Sequence, residues 1–380
     1  MKHRAYRYRF YPTPKQRELL AHTFGCVRVV YNKGLHLRQE GYIKNKEKIG
    51  YHATSASLTG WKKQEEYQWL NDVSAIPLQQ SLRHLQKAYT NFFAGRSKYP
   101  KYKKKSSKQS AEFTRAAFRW NGKELYIAKS KEPLNVRWSR TFIGEPSTIT
   151  VSKDSADRYF VSILVQELVR KLNKSKKEIG IDLGLTNFAI TSDGDKFDAP
   201  KPTKNNEKKL AKLQRRLSKK KMGSANKAKA RLKVAKLHNK ISDTRKDFNH
   251  KLSTKLVREN QTICVESLAV KNMMKNRRLS KAISDVGWSQ FLGFLEYKCD
   301  WYGRELIGID RWFPSSKRCS HCGHTLGELK LNVRRWDCPE CKTSHDRDIN
   351  AALNILAVGQ TVSAFGVNVS PVSNDMGCSL

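Results

Sequence analysis

The chain has 380 residues, and its 74 Lys and Arg against 34 Asp and Glu give a formal net charge of +40. That length predicts two or three domains. No apolar run approaches the roughly 18 residues of a membrane-spanning helix, and no apolar stretch follows MKHRAYRYRF, so we predict a soluble, cytoplasmic protein. Basic residues are spread from Lys2 to Arg347, which favours a nucleic acid partner over an anionic membrane.

The first hundred residues predict one strand followed by helices. AYRYRF alternates as a strand does, and Thr13-Pro14 is typical of a helix start. Leu19, Leu20 and Phe24 then recur at helical spacing. Two further helices are predicted, from about Ser55 to Leu70 and from about Leu78 to Phe93, before the basic loop KYPKYKKKSSK.

Residues 111–168 predict a small β-barrel or sandwich to which the N-terminal strand can belong. The segments EFTRAAFRW, ELYIA, LNVRW, STITVS and YFVSILVQE have strand composition, and Asn121-Gly122 is a turn signal between two of them.

From Glu178 the sequence predicts an α/β region. EIGIDLGLTNFAITSDGDKF predicts two strands, and residues 204–260 predict a very basic helical hairpin interrupted by KMGSAN. TICVESL, a helix around Trp288 to Tyr302, and ELIGIDRWF follow, then a cysteine-rich segment and the helix DRDINAALNIL. From about Gly359 we predict a loose tail.

Three acidic residues stand at the ends of apolar elements: Asp182 in IGIDLG, Glu266 in ICVESL and Asp348 in DRDINAAL. A carboxylate in such a place is costly to keep charged without a partner, and oxygen ligands from separate elements suit Mg²⁺. Two such ions can hydrolyse a phosphodiester. The order Asp, Glu, Asp resembles that of RuvC-type nucleases with the RNase H fold, whereas DDE transposases place the glutamate last.

Each acidic motif has another interpretation when taken alone. IGIDLG also fits the phosphate-binding strand end of actin-like ATPases, and the glutamate of VES fits a solvated strand end. Within DRD, Asp346 competes with Asp348; we assign Asp348 to the site and Asp346 to the helix cap. Arg347 and Asn350 are possible auxiliary residues, and Arg347 fits a plain structural ion pair equally well.

The strongest single motif is CSHC followed by CPEC, a C-x2-C-x15-C-x2-C pattern within the spacing range of zinc ribbons. Four thiolates close a tetrahedral site, so we predict one structural zinc ion; a redox role is the alternative. Cys26, Cys264, Cys299 and Cys378 are predicted to be core thiols. The predicted zinc ligands are Cys319, Cys322, Cys338 and Cys341.

With these residues in place, the chain resembles TnpB, the transposon-encoded RNA-guided DNA endonucleases related to type V CRISPR effectors. GIDLGLTNFAI, ICVESL, FPSSKRCSHCG and CPECKTSHDRDINAALNI carry the resemblance, and YRFYPTPKQRELL, RVVYNKGL and PKYKKK agree with it. It covers roughly residues 3 to 357.

The resemblance implies a multidomain fold that combines α/β and α+β parts. It implies a RuvC-like nuclease with an inserted zinc ribbon, and an N-terminal wedge-type barrel that carries a helical recognition insert. The expected domains are the barrel (1–14 and 105–170), the helical recognition lobe (15–104), the first nuclease part (178–315) with its basic hairpin (204–258), the zinc ribbon (316–344), the last nuclease part (345–358) and a tail (359–380).

The resemblance also implies the cofactors and partners. Catalysis would depend on two Mg²⁺ ions held by Asp182, Glu266 and Asp348. The partners would be a guide RNA from the transposon end and a double-stranded DNA target, and the protein would be a monomer in its ribonucleoprotein. A short duplex motif beside the target would be read by residues that match family positions: Tyr51, Thr54, Ser55, Gln79 and Thr114.

Three other functions are kept as alternatives. A guided DNA-binding regulator would lack cleavage, a transposase would join DNA strands without RNA, and a basic scaffold would copurify with bulk RNA. The basic helices 204–258, which the resemblance places along a nucleic acid channel, also fit a solvated hairpin.

Overall fold

The computed structural model describes residues 1–106, 108–330 and 332–364. The described residues form two compact units: unit 1 comprises Met1–Leu168, and unit 2 begins at Val169. In this part of the chain no helix is long and apolar enough to cross a membrane.

Unit 1 contains three long helices and an antiparallel sheet. Its elements are β1 (Lys2–Phe10), α1 (Pro14–Asn45), α2 (Tyr51–Lys63), a 3-10 helix (Glu65–Asn71), α3 (Ala75–Phe93), β2 (Gln109–Thr114), a 3-10 turn (Arg115–Ala117), β3 (Phe118–Trp120), β4 (Leu125–Ile127), β5 (Val136–Arg137), β6 (Pro146–Lys153) and β7 (Tyr159–Glu167).

The N-terminal strand belongs to the five-stranded sheet of unit 1, whose order is β2-β6-β7-β1-β5. Along β1 the odd and even positions alternate, so that Tyr6, Tyr8 and Phe10 are buried in the core. Among the described residues β2 and β5 are the edge strands of this sheet, so a closed barrel remains a prediction.

The start of α1 follows the sequence prediction, whereas the second predicted helix is wrong in its bounds. The Thr13 side chain accepts a hydrogen bond from the Gln16 N–H, and the Gln16 side chain accepts one from the Thr13 N–H, which forms a capping box. The helix expected over Ser55–Leu70 instead begins at Tyr51 and ends at Lys63. Gln64 then takes an extended conformation and separates it from the 3-10 helix.

Unit 2 contains a mixed sheet flanked by helices. Its elements are β8 (Glu178–Asp182), β9 (Asn187–Thr191), β10 (Lys196–Asp198), α4 (Pro202–Ser218), α5 (Ala225–Glu259), β11 (Thr262–Glu266), α6 (Val270–Met273), α7 (Ser280–Val286), α8 (Trp288–Tyr302), β12 (Glu305–Ile309), β13 (Arg335–Asp337), β14 (Ser344–Asp346) and α9 (Arg347–Ala364).

The sheet of unit 2 has the order β10-β9-β8-β11-β12, and its strands β8, β11 and β12 are parallel. Along each strand, successive side chains point to opposite faces of the sheet. Ile181 and Val265 point to the face covered by α5 and α8, where Leu256 and Phe291 complete an apolar core. Gly180 points to the other face, on which α9 packs.

The basic hairpin predicted over 204–258 is formed by α4 and α5, which contact each other. A buried carboxylate anchors it. Asp285 accepts hydrogen bonds from the backbone N–H groups of Thr203 and Lys204 at the start of α4. It also accepts one from Arg245 of α5. Asp285 therefore caps one helix and pairs with the other.

The last helix contradicts the predicted bounds of the tail. The tail was expected from 359, but α9 continues to Ala364 because its apolar face is still covered there: Val358 and Val362 pack against the core that includes Cys264 and Ile355. The thiols of Cys26, Cys264 and Cys299 are buried as predicted. Residues 365–380, with Cys378, lie outside the described residues.

Candidate active site

The sheet register places Asp182 and Glu266 on the same face of unit 2. Gly180 pairs with Cys264, and Ile181 pairs with Val265, so the next residues of these parallel strands are Asp182 and Glu266. Because side chains alternate along a strand, these two carboxylates share the face of Gly180 and Cys264. That face is covered by α9.

Asp348 reaches this face because α9 packs unusually close to the sheet. A Cβ atom on Gly180 would lie 2.1 Å from the Ala352 carbonyl oxygen, and one on Gly359 would lie 2.2 Å from the Cys264 sulfur. Only glycine leaves room for this approach at both contacts. The first turn of α9, with Asp348, is thereby held at the carboxyl ends of β8 and β11.

The three predicted carboxylates line one solvent-accessible cavity of about 660 Å³. The ends of β8 and β11 and the start of α9 form its acidic wall, and basic, polar and apolar side chains form the remainder. Its other lining side chains include Trp312, Lys317, Arg334 and Arg347.

The pKa values of two of the carboxyl groups are raised. The pKa of Asp182 is raised to about 6, first by burial and then by the charge of Asp348, while the guanidinium of Arg347 opposes the rise. The pKa of Glu266 is raised to about 7, first by burial and then by the charge of the neighbouring Asp182. Such a cluster favours either protons or a cation.

Two arginines beside the acidic wall come from the cysteine-rich segment and from α9. The Arg334 guanidinium donates to both oxygens of Asp348, at 3.2 and 3.4 Å. Arg347, proposed as auxiliary from the sequence, lines the cavity and donates from its side chain to the Lys330 carbonyl. Positive charge therefore faces the same space as the carboxylates.

The choice between Asp346 and Asp348 is resolved by their contacts. One oxygen of Asp346 accepts hydrogen bonds from the backbone N–H groups of Asp348 and Ile349, and its other oxygen contacts Lys196 of β10 at 2.7 Å. Asp346 is thus the helix cap, as predicted, while Asp348 lines the cavity.

The four predicted cysteines meet in one cluster whose sulfur atoms all lie within 4.8 Å of one another. The Cys319–Cys341 and Cys322–Cys338 sulfur pairs are each 3.6 Å apart. Zn–S bonds of about 2.3 Å in a tetrahedron require sulfur separations of about 3.8 Å, so the cluster fits a zinc ion. In residues 1–106, 108–330 and 332–364, no set of three or more Asp or Glu side chains brings its oxygen atoms as close together as these four sulfur atoms.

Both C-x-x-C pairs are held by the same type of turn. Gly323 and Lys342 adopt positive φ, and their backbone N–H groups donate to the carbonyls of Cys319 and Cys338. The short hairpin of β13 and β14 completes the ribbon, and His345 of β14 lies 3.0 Å from the Cys319 sulfur. The second strand of this hairpin runs directly into α9.

Asn350, the other proposed auxiliary residue, is buried and does not line the cavity. Its amide donates to the Arg318 carbonyl and its oxygen accepts from the Ser320 N–H. Asn354, one turn later, donates to the carbonyls of Arg318 and Ser315. Both asparagines therefore hold the backbone of residues 315–320 against α9. Asn350 fixes the position of this segment and does not face the cavity.

The five residues predicted to read a duplex motif lie on α2, α3 and β2 of unit 1. Thr54 is buried, and its hydroxyl donates to the Tyr51 carbonyl, so it offers no free polar atom at the surface. Tyr51 packs against the core beneath Arg83. Ser55, Gln79 and Thr114 are partly exposed, and their role stays a prediction.

Sequence reasoning missed three residues that shape the cavity and its walls. Arg334, Trp312 and Asn354 are absent from the site residues predicted from the sequence. The consecutive residues Arg334 and Arg335 gave a charge signal, but which of them meets Asp348 depends on the fold of the ribbon.

Comparison with known proteins finds three family models that match parts of this chain. A family described as "Probable transposase" (OrfB of IS605) matches residues 156–277, a Cas12f1-like TNB domain matches 288–355, and a helix-turn-helix domain matches 1–47. In the structure this last segment forms β1 and α1.

Two relatives match nearly the whole chain. A "Putative RNA-guided DNA endonuclease" of Streptomyces pristinaespiralis is 52% identical over 97% of this chain and 92% of its own length. The "Putative RNA-guided DNA endonuclease InsQ" of Escherichia coli K12 is 31% identical over 95% and 94%. The solved structure of the mini-RNA-guided endonuclease CRISPR-Cas_phi3 covers 94% of this chain and 92% of its own, with 10% identity and a TM-score of 0.48.

The chain that contains this acidic cavity and cysteine cluster therefore aligns over at least 95% of its length with the Streptomyces and Escherichia relatives. The protein belongs to the TnpB family of RNA-guided DNA endonucleases.

Proposed function

We propose that this protein is an RNA-guided DNA endonuclease whose cutting site is the cavity lined by Asp182, Glu266 and Asp348. One observation carries the proposal: residues far apart in the chain converge, through strand alternation and the close packing of α9, on a single open cavity. A nuclease-silent regulator is less well supported, because all three carboxylates are present and accessible to a ligand.

The sheet order and its acidic ends support an RNase H-like, RuvC-type nuclease. The carboxylates of Asp182, Glu266 and Asp348 would hold two Mg²⁺ ions, which when bound activate a water and stabilise the leaving oxygen of a phosphodiester. The carboxylate oxygens are the donors that such hard cations prefer. Burial and mutual repulsion raise the pKa values of Asp182 and Glu266, and a bound cation would offset this cost of keeping them charged.

The remaining cavity residues would handle the polyanionic substrate. Lys317, Arg334 and Arg347 supply positive charge around the acidic wall and would attract the backbone of the entering strand. The Arg334–Asp348 ion pair sets the position of this carboxylate from the ribbon side. A structural zinc ion in the cysteine cluster would keep the ribbon folded.

The partners follow from family membership and charge. A net charge of +40 suits a ribonucleoprotein, and guide pairing would select the DNA target while the protein contacts backbone and a short adjacent motif. The domain assignment given by the resemblance, with the last nuclease part extended to Ala364, is part of this proposal, and unit 1 would carry the recognition elements.

The test uses the protein purified with the RNA that it binds. That RNA is sequenced, and a plasmid carrying the matching target is then offered with Mg²⁺. Asp182→Asn, Glu266→Gln and Asp348→Asn keep side-chain shape but remove charge, and each should lower cleavage at least about a thousandfold, or about 4 kcal/mol, while the bound RNA is retained.

A matched control lies on the same strand as Asp182. Glu178 is at the opposite end of β8 and accepts a hydrogen bond from Gln360, away from the cavity lining. Glu178→Gln should cut within about twofold of wild type. Full cleavage by any of the three cavity variants would contradict the proposed site.

A further inference from the structure

Trp312 is an indole left in solvent at the wall of the acidic cavity. Its side chain is 80% exposed, although it lines the same cavity as the three carboxylates. The next residue, Phe313, does the opposite and packs against the core of Ile309 and Ile355. An exposed indole forgoes a large burial free energy, so its position calls for a ligand.

The backbone beneath this indole is fixed. The Trp312 N–H donates to the Asp310 side chain at 2.7 Å, and the Phe313 N–H donates to the Asp310 carbonyl at 3.3 Å, which forms a tight turn after β12. The following Ser315 carbonyl accepts from Asn354 at 2.8 Å. The turn is therefore tied to both the sheet and α9.

This turn stands beside the acidic wall. The Ser267 N–H donates to the carbonyl of Ile309, so the chain following β12 runs next to the chain following β11, which ends at Glu266. An aromatic ring on this turn faces the space into which the proposed scissile phosphodiester must come.

The surroundings of the ring are cationic. The Arg311 guanidinium lies 5.1 Å from the indole ring centroid, and Lys317 and Arg334 line the same cavity. An aromatic face combined with a positive groove is the arrangement by which proteins hold unpaired nucleic acid strands: bases stack on the ring and cations follow the backbone.

We infer that Trp312 is a substrate-binding residue that stacks on an unpaired base of the DNA strand entering the cavity. A base within a duplex has neighbours on both faces, so only a separated strand can use the ring. The inference rests on the proposed function, since it assumes that DNA is the ligand of the cavity.

The first experiment measures binding without cleavage. In the Asp182→Asn background, the ribonucleoprotein is titrated with a fluorescent single-stranded oligodeoxynucleotide, and with the same sequence as a duplex. Trp312→Ala and Trp312→Leu should weaken single-strand binding about 10- to 100-fold, and Trp312→Phe should stay within about threefold, because only Phe restores an aromatic face. Duplex binding should change less than twofold.

A matched control removes another exposed ring that has a cation over it. Tyr42 of unit 1 is exposed, and the Lys46 amine lies 5.3 Å from its ring centroid. Tyr42→Ala should leave single-strand binding unchanged. Equal binding by wild type and Trp312→Ala would overturn the inference, as would a Leu variant that binds like wild type or a Phe variant as weak as Ala.

The second experiment separates this inference from the proposed function. With Asp182 intact, Trp312→Ala should raise KM for target DNA by about the same factor and change kcat less than threefold. If wild type cuts no target, the proposed function fails, whereas the binding series still decides whether Trp312 holds a strand. A kcat loss with unchanged KM would overturn the stacking role.

Discussion

The cysteine cluster and the carboxylate cluster of unit 2 are built differently, although both lie at the start of α9. The four thiols come from two local turns, lie within 4.8 Å of one another, and enclose the space between them. The three carboxylates come from three elements and line one wall of a cavity of about 660 Å³. A closed set of soft ligands suits a structural ion, and an open set of hard ligands leaves room for a substrate.

Removing a cysteine of the cluster should have the largest effect. The segment that carries these cysteines has a small apolar core, so its folding should depend mainly on the bound metal. Cys338→Ser should lose the bound zinc, whose apparent binding free energy is about 10–16 kcal/mol in small zinc modules. Since the ribbon carries Arg334 and continues into α9, cleavage should also be lost. Zinc content and plasmid cleavage are measured together.

The control for this variant is Cys299→Ala, which removes a buried thiol outside the cluster. It should keep one zinc ion per chain and most of its cleavage. A Cys338→Ser protein that retains its zinc and cuts DNA at the wild-type rate would show that the two clusters are independent.

Breaking the close packing between β8 and α9 should come next. A Cβ atom on Gly180 would meet backbone atoms of α9, and the Ala352 carbonyl cannot move aside as a flexible side chain could. Gly180→Ala should therefore lower the free energy of unfolding by about 1–3 kcal/mol and reduce cleavage. Urea unfolding measures the first effect, and Gly60→Ala, where the added atom meets open space, is the control.

The carboxylate cluster should destabilise the Mg²⁺-free protein at neutral pH. In the folded chain the pKa of Asp182 is raised to about 6 and that of Glu266 to about 7, so the folded state binds more protons than the unfolded state between about pH 4 and pH 7. Stability therefore falls as pH rises through this window.

Asp182→Asn removes one of these groups and should stabilise the Mg²⁺-free protein at pH 7.5 by about 2–3 kcal/mol, with little change at pH 4. Thermal unfolding at both pH values measures this, and Glu178→Gln should give no such pH-dependent difference. An Asp182→Asn protein with the same gain at both pH values would contradict the assigned cause.

The smallest effect is expected for the Arg334–Asp348 ion pair, because Arg334 is largely exposed. Exposed pairs contribute about 0.2–1 kcal/mol, so Arg334→Gln should reduce cleavage by up to about fivefold at low salt and less at high salt. Arg335→Gln changes the neighbouring exposed residue and should have no effect. A salt-independent loss would assign Arg334 a role other than charge.

Much of unit 2 could be predicted because its signals are local. The apolar runs around Ile181 and Val265, with an acid at the end of each, are consistent with parallel buried strands, and strand alternation then sets the shared face of Asp182 and Glu266. The C-x-x-C pairs fixed the cysteine cluster by spacing alone.

The remainder depended on packing that no local pattern encodes. The exposure of Trp312 beside a partly buried Phe313 is set by the turn at Asp310, and the extension of α9 to Ala364 is set by the core around Cys264. Gln64 ends α2 without a glycine or proline to signal it. These features become visible only when the distant elements that cover them are in place.

The contact between Gly180 and the final helix has a consequence for protein synthesis. Strand β8 leaves the ribosome more than 160 residues before the helix that carries Asp348, and this helix also covers one face of its sheet. A nascent chain that has made β8 and β11 but not α9 therefore lacks the third carboxylate of the proposed site. The proposed cutting site would therefore be complete only after α9 has been synthesised.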